Sequence, residues 1–208
     1  QSVISPLVDG AYYQVQTNDK ACTFTFEAVW GEGRTGEILD ILDRHNVHAT
    51  FFVSGSWLRK YADTAREIMI RGHEIGLHGF EHKIMTEMDD EELKADFEQS
   101  REAMLEELNM ETHLFRPPFG ELDQRLFDYA RKEGYTTVLW SINAEDWLDK
   151  SHSEMTAKII KDIHNGAVIM MHTHSSQIVK TLPVLIQRLR REEYEIITFS
   201  ELQRRSNQ

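Results

Sequence analysis

Residues 72–82 read Gly-His-Glu-Ile-Gly-Leu-His-Gly-Phe-Glu-His, and they join a short strand pattern to two histidines four residues apart, His78 and His82. Gly76 and Gly79 lie on either side of His78, which indicates a strand that ends in a tight turn. Such a turn can aim both imidazoles at one metal ion. His73 and Glu74 are followed by His78 at the wrong spacing for a His-Glu-x-x-His helix, so this metalloprotease motif is excluded.

Outward from this segment, short β-branched or aromatic runs alternate with longer stretches whose apolar residues recur three and four positions apart. This alternation predicts parallel strands joined by helices, in a doubly wound sheet or a closed barrel. About seven or eight such units in this length favour an α/β fold with a compact barrel of parallel strands. The predicted strands are Cys22–Phe26, His48–Val53, His73–His78, Thr112–Phe115, Thr136–Trp140, Ala167–Met171 and Glu195–Phe199.

Apolar stripes predict the helices between these strands. The longest stripe, from Leu93 to Leu108, begins after Asp89, which is a favourable N-cap residue. Shorter stripes cover Ile38–Leu42, Leu126–Ala130, Ile159–Ile163 and Val184–Leu189. Because no linker or low-complexity tract interrupts the chain, we expect one domain over residues 1–208, with residues 1–20 as a peripheral N-terminal segment.

Composition and charge exclude several classes of partner. The formal net charge of −12 would repel a phosphate backbone, so we expect no nucleic-acid binding. No stretch approaches the ~18 apolar residues that a membrane span needs, so we expect none in this chain. The chain also opens without a basic and apolar leader, so we expect any export signal or anchor to lie upstream.

Polar residues that could carry chemistry follow the predicted strands. In a parallel βα fold the carboxyl ends of the strands share one rim, so residues far apart in sequence would meet in one cleft. We therefore expect a site built from Glu27, His78, Arg116, Asn143, Asp146, His172 and His174.

Each of these motifs also has a purely structural interpretation. The stretch Arg116-Pro-Pro-Phe-Gly120 is either a rigid loop or an arginine that orients a carboxylate. Asp146 is either a surface acid or the residue that keeps an imidazole protonated. His172, at the end of an apolar run, is either a core histidine or a functional one.

Together and in this order, the motifs resemble those of the polysaccharide deacetylases of carbohydrate esterase family four, which share the NodB homology domain. The resemblance covers nearly the whole chain, and residues 26–31, Phe-Glu-Ala-Val-Trp-Gly, look most like the sporulation-associated branch. The matching motifs are Thr25–Ala28, Asn46–Gly55, His78–His82, Arg116–Gly120, Trp140–Trp147 and Ile169–His172.

The resemblance implies a fold, an activity and a location. The fold would be a distorted (β/α) barrel with seven or eight strands, holding a divalent metal that is usually zinc. The activity would be hydrolysis of N-acetyl groups from an aminosugar polymer such as peptidoglycan or a chitin-like glycan. Such a substrate implies an extracellular or cell-wall location of the bacterial type, whereas the oligomeric state stays open.

The resemblance also assigns roles around the metal. His78 and His82 would be metal ligands, and a water bound to the metal would be the nucleophile, because the cation lowers its pKa. Glu27 would occupy the place of the catalytic base, with Arg116 orienting it. A glutamate at this position departs from the family pattern, which has an aspartate.

The remaining roles concern the leaving group and the sugar. His172, tuned by Asp146, would protonate the departing amine. The metal and a backbone N–H near Phe119 would stabilise the oxyanion. Trp147 and Met170 would line the groove that holds the sugar ring, since an indole suits the apolar face of a pyranose.

Ala28 stands where the family has its metal-binding aspartate, and a methyl group cannot bind a metal. Glu27, one methylene longer than aspartate, could reach the metal instead. Glu32 could fold back to it, or His174 could complete a site of three histidines, because residues two apart on a strand face the same way. The third ligand is therefore Glu27, Glu32 or His174.

Two hypotheses of different class follow. The chain is a metal-dependent deacetylase, or it is a degenerate family member that acts as a non-enzymatic glycan-binding or structural protein. Ala28 and Asn143 favour the degenerate member, and the joint presence of Arg116, Asp146 and His172 favours the enzyme. A third and less favoured hypothesis is hydrolysis of a small cyclic amide. The length of the substrate groove would distinguish it from action on a polymer.

Overall fold

Every predicted strand overlaps a strand of the sheet in the same order along the chain, and one further strand, Ile142–Asn143, was not predicted. A computed structural model describes residues 7–148 and 150–206. Within these ranges the strands are β1 (Ala21–Ala28), β2 (Thr50–Val53), β3 (Glu74–Leu77), β4 (Leu114–Phe115), β5 (Thr136–Thr137), β6 (Ile142–Asn143), β7 (Ala167–His172) and β8 (Glu195–Ile196).

Helices connect most of these strands, and each predicted apolar stripe lies in one, except that Ile163 follows the end of its helix in an extended conformation. Asp89 caps the longest helix as predicted, because its carboxylate accepts from the N–H of Glu92 while the Glu92 side chain accepts from the N–H of Asp89. The helices are α1 (Thr35–Arg44), α2 (Gly55–Lys60), α3 (Ala62–Ile70), α4 (Asp90–Leu108), α5 (Gln124–Lys132), α6 (His152–Asp162), α7 (Ser176–Arg191) and α8 (Phe199–Arg204).

The sequence missed three short helices, α2, α3 and α8. The strand predicted over Glu195–Phe199 is wrong at its end, because Thr198 caps α8 with its side-chain oxygen on the N–H of Glu201. Only two residues of α3, Ala65 and Ile68, are buried, which is too few for a recognisable stripe.

The sheet is parallel and curled. Its order is β5-β4-β3-β2-β1-β7-β6, with β8 pairing to β1, and every pairing between these strands is parallel. The strands at the two ends of this order, β5 and β6, are separated along the chain only by residues 138–141. Five residue steps of extended chain span at most about 17 Å, so the two edges must approach each other. The predicted distorted (β/α) barrel is confirmed.

Strand β1 separates two apolar layers, because alternate side chains face opposite sides of the sheet. Phe24, Phe26 and Ala28 belong to the larger core under the helices, where Phe26 stacks on Phe51 with ring centroids 5.0 Å apart. A smaller cluster, which includes Phe52 and Val168, fills the inside of the curled sheet.

Residues 7–20 run along the open side of the sheet. The N–H of Tyr12 donates to the carbonyl of Thr137, and the N–H of Val15 donates to the carbonyl of Gly166. Val8 and Val15 are buried. Nowhere in residues 7–148 and 150–206 is a helix long and apolar enough to cross a bilayer.

His73, just before β3, gives the fold a pH-dependent stability. Its imidazole is 5% exposed, and Nδ1 accepts from the N–H of Ala49 at 3.2 Å. Burial and the nearby His48 lower the pKa of His73 to about 4, against 6.5 ordinarily. Between these values the unfolded chain binds more protons, so stability falls as pH drops from 6.5 to 4, by on the order of 3 kcal/mol.

The His73→Asn variant is expected to flatten this pH dependence, because an asparagine oxygen can replace Nδ1 as acceptor without titrating. Urea unfolding at pH 7 and pH 4.5 would measure the difference in the free energy of unfolding for both proteins. An equal loss of stability in variant and parent between these pH values would assign the acid sensitivity to another group.

Candidate metal and catalytic site

Residues from distant parts of the sequence meet at the carboxyl ends of the strands. Glu27 on β1 lies opposite His172 on β7 in the register of the parallel pair. His78 directly follows β3, and Arg116 directly follows β4. Three predicted positions differ. Glu27 and His172 lie within β1 and β7, not after them, because both strands extend further than the sequence pattern suggests. Asn143 lies within β6, a separate strand that the sequence pattern does not show.

The two histidines of the opening segment form one wall of the site. His78 is fully buried, and its Nδ1 lies 2.8 Å from the carbonyl oxygen of Arg116. That atom must therefore carry a proton, and the Nε2 lone pair points towards Glu27, whose Oε2 is 3.3 Å away. His82 follows in a left-handed backbone conformation, φ 53°, which turns its ring towards His78 at a centroid distance of 4.8 Å.

The arrangement of these three residues fits a divalent metal. Ligand atoms of Glu27, His78 and His82 all lie within 4.8 Å of one another. The Nε2 atoms of both histidines are buried and find no hydrogen-bond partner among the described residues. A lone pair that faces a carboxylate is repelled unless a proton or a metal cation lies between them. Two imidazoles and one carboxylate are a donor set that zinc accepts.

Burial lowers the pKa of His82 to about 3, so its ring is neutral at pH 7. A neutral imidazole offers a lone pair to a metal, whereas an imidazolium does not.

Of the three predicted candidates for the third ligand, the structure places Glu27 with the histidine pair. The carboxylate of the exposed Glu32 accepts a hydrogen bond from Thr64. His174 packs edge-on against Trp30 at 5.2 Å and belongs to no metal-sized cluster in residues 7–148 and 150–206.

Arg116 fixes the carboxylate of Glu27. The guanidinium is fully buried, and its Nη1 lies 3.4 Å from Oε1 of Glu27. The other donors are fixed too: Nε donates to the carbonyl of Val138 at 3.0 Å, and Nη2 to Thr25 Oγ1 at 2.9 Å and to the carbonyl of Leu139 at 2.8 Å.

The charge of Glu27 follows from its neighbours. Burial alone would raise the pKa of Glu27, but the hydrogen bond from His172 and the charge of Arg116 hold it well below its ordinary value. Glu27 is therefore an anion that points one oxygen at Arg116 and the other at the histidines.

Asp146 and His172 form a second charged pair beside Glu27. One oxygen of Asp146 lies 2.7 Å from Nδ1 of His172, and the other accepts from the N–H of His172 at 2.8 Å. Burial lowers the pKa of His172, but hydrogen bonds to Asp146 and Glu27 outweigh this effect and raise it to about 9. The imidazole is therefore protonated at neutral pH, and its Nε2 lies 3.4 Å from Glu27 Oε2.

The predicted sugar-contacting residues fall in different environments. Phe119 and Trp147 are about half exposed, at 50% and 46%. The ring of Phe119 lies 4.4 Å from that of His82, and Trp147 is edge-on to His172 at 5.3 Å. Met170, on the same face of β7 as His172, is only 2% exposed, so it packs inside the curled sheet and not on the open surface.

Sequence reasoning missed two residues that contact the site. Thr25 accepts from Arg116 and donates to the carbonyl of Ile169 at 2.8 Å, so it ties the guanidinium to β7. Trp30 lies over the imidazoles and is half exposed. The only signal for Thr25 was its place in the motif Thr25–Ala28, and the only signal for Trp30 was its place in residues 26–31.

Comparisons with known proteins point to one family. The family model for polysaccharide deacetylase matches residues 14–138. The chain is 28% identical over 190 residues to the uncharacterized protein YlxY of Bacillus subtilis, and it spans 59% of the length of that protein. It is 29% identical over 197 residues to a peptidoglycan-N-acetylglucosamine deacetylase of Bacillus cereus, covering 92% of both chains.

Among solved structures, the chain superimposes on wild-type BA3943 of Bacillus anthracis with a TM-score of 0.91 and 25% identity. The match covers 97% of this chain and 72% of that protein, which is described as a pseudoenzyme of the CE4 family, and a BA3943 mutant is described as having restored enzymatic activity. The resemblance seen in the sequence is confirmed, while the sporulation-associated branch stays a prediction. The chain belongs to the polysaccharide deacetylase family.

Proposed function

We propose that this chain is a metal-dependent hydrolase that removes N-acetyl groups from an aminosugar polymer such as peptidoglycan or a chitin-like glycan. One observation carries the proposal: the Glu27, His78 and His82 cluster lies directly beside the protonated His172. The likeness to the Bacillus cereus peptidoglycan deacetylase supports the substrate class. A glycan of this kind places the protein outside the cell or at the cell wall.

Each residue of the site has its own role in the proposed reaction. A bound divalent cation, with zinc the best fit, would polarise the acetamide carbonyl and lower the pKa of a water molecule. His172 donates its Nε2 proton to the departing amine, and Asp146 holds that imidazole in position. Glu27 combines two duties that the family divides between two aspartates, metal binding and proton acceptance, while Arg116 keeps its carboxylate in place.

The surface around the site supports a polymer over a small cyclic amide. Phe119 lies where two open clefts meet. One cleft, with a volume of about 620 Å³, contains His82. The other, of about 990 Å³, runs past Tyr13 and Trp140. Two clefts that meet at Phe119, beside His82, offer more room than a small cyclic amide needs and suit a longer chain.

The His172→Ala variant tests the proposal. We expect amine release from N-acetylglucosamine oligomers, with zinc supplied, to fall by ~100-fold or more, because the leaving group loses its proton donor. The matched control is His152→Ala, which removes an exposed histidine at the start of α6 and should leave the rate unchanged. Equal rates in the His172 variant and the parent would refute the assigned acid.

A second candidate function is glycan binding without catalysis. Ala28 favours it, since this buried methyl group occupies the position of the family's metal-binding aspartate. The likeness to BA3943, described as a pseudoenzyme, favours it as well. Absence of amine release in the zinc-loaded parent, together with retained binding of the oligomers, would identify this function.

The Ala28→Asp variant separates the two functions by metal binding. We expect the metal-free variant to be less stable than the parent, because it buries a carboxylate at a position with no exposed surface. Because the proposed function assigns the anionic ligand to Glu27, zinc should raise the Tm of the variant and of the parent by similar amounts. A much larger zinc-induced shift in the variant would show that the parent lacks this ligand, which favours glycan binding without catalysis.

A further inference from the structure

Trp30 lies two residues beyond the end of β1 and covers the centre of the candidate site. Its indole lies edge-on to His82 at 5.0 Å and edge-on to His174 at 5.2 Å, and it is tilted over His172 at 6.2 Å. The ring therefore extends from the metal-binding histidines to the proton donor. Half of its surface is nevertheless exposed.

The loop that carries Trp30 is held on two sides. The carbonyl of Gly31 accepts from the indole N–H of Trp57 at 2.6 Å. The N–H of Arg34 donates to the carbonyl of Thr173 at 2.8 Å. Gly33 packs so closely there that a Cβ atom would lie 2.6 Å from the same carbonyl oxygen. The loop is thus preorganised, which reduces the entropy lost when a ligand binds.

Exposed aromatic rings are grouped around this site. In the described part of the chain, the exposed large aromatic side chains are Trp30, Phe119 and Trp147, and each contacts an imidazole of the site. Exposed apolar groups that cluster around one cleft mark a binding surface. Trp30 is the member whose ring spans both halves of the reacting centre.

We propose that Trp30 is a substrate-binding residue whose indole stacks on the apolar face of a pyranose ring beside the reacting centre. The inference rests on the proposed function, which supplies the glycan. An indole presents a large flat apolar surface, and the C–H face of a pyranose is its complement. Stacking there would hold the acetamido group over Glu27 and close to His172.

The test compares Trp30→Ala, Trp30→Phe and Leu105→Ala for binding and turnover of an N-acetylglucosamine tetramer. Leu105 is the control, because it is 47% exposed on α4 and lies apart from the site. We expect Trp30→Ala to raise both the Kd of the tetramer, measured by calorimetry, and its KM by about 10-fold. The value of kcat and the affinity for zinc should stay close to those of the parent, and Trp30→Phe should recover part of the loss.

The outcomes separate this inference from the proposed function. Unchanged tetramer affinity in Trp30→Ala would overturn the inference, even if turnover proceeds. A loss of zinc affinity and of kcat without a change in KM would also overturn it, because Trp30 would then only support the histidines. Binding that depends on Trp30 without any amine release would uphold the inference and refute the enzyme.

Discussion

The Glu27→Gln variant is expected to bind zinc at least ~100-fold more weakly than the parent and to lose amine release. Glu27 is the one carboxylate in the cluster with His78 and His82, and its Oε2 lies 3.3 Å from Nε2 of His78. Glutamine has almost the same shape but offers a neutral oxygen, so the metal would lose its anionic ligand. Competition against a chromogenic chelator would measure the affinity.

Two controls show whether the loss belongs to Glu27. Glu32→Gln and His174→Gln remove the other candidate ligands, and both variants should keep the zinc affinity of the parent, since neither side chain reaches the histidine pair. A Tm measurement without metal is needed as well, because Glu27→Gln leaves the charge of Arg116 without its partner. Zinc affinity that falls with Glu32→Gln or His174→Gln, and not with Glu27→Gln, would reassign the third ligand.

The sequence could predict where the site lies because the sheet is parallel throughout. Once Cys22–Phe26, His73–His78 and Ala167–Met171 are taken as parallel strands, the polar residues at their ends must share one rim. Chain direction alone therefore brings Glu27, a residue near the start, next to His172, a residue near the end.

Local patterns could not predict where the chain bends. The run Thr136–Trp140 looks like one strand, but pairing with β4 ends at Thr137 and a new pairing with β7 begins at Ile142. The bend depends on where the curled sheet meets its other edge. A pattern of apolar residues contains no information about that distance.

The third ligand was open for a related reason. Sequence leaves Glu27, Glu32 and His174 as candidates, because each is predicted to lie beyond a strand end. Their environments separate them: Arg116 fixes the first, Thr64 hydrogen-bonds the second, and Trp30 contacts the third. These are contacts between residues far apart along the chain, and they exist only in the folded structure.

The Arg116→Met variant is expected to lower the free energy of unfolding by ~3–5 kcal/mol, the range found when one partner of a buried ion pair is removed. The guanidinium has no exposed surface and lies 4.2 Å from the ring of Phe52. Methionine can fill that apolar space but cannot donate to the carbonyls of Val138 and Leu139 or to the carboxylate of Glu27. Urea unfolding followed by circular dichroism would measure the loss.

The matched control is Arg125→Met, which removes a partly exposed arginine paired with Asp90 at 3.0 Å. Its effect should stay within about 1 kcal/mol, because solvent screens surface ion pairs. Adding Glu27→Gln to the Arg116 variant should cost less than the sum of the two single changes, because the second change removes the charge that the first left unpaired. Strict additivity, or a loss below 1 kcal/mol for Arg116→Met, would show that the buried pair does not hold β1 to the chain between β5 and β6.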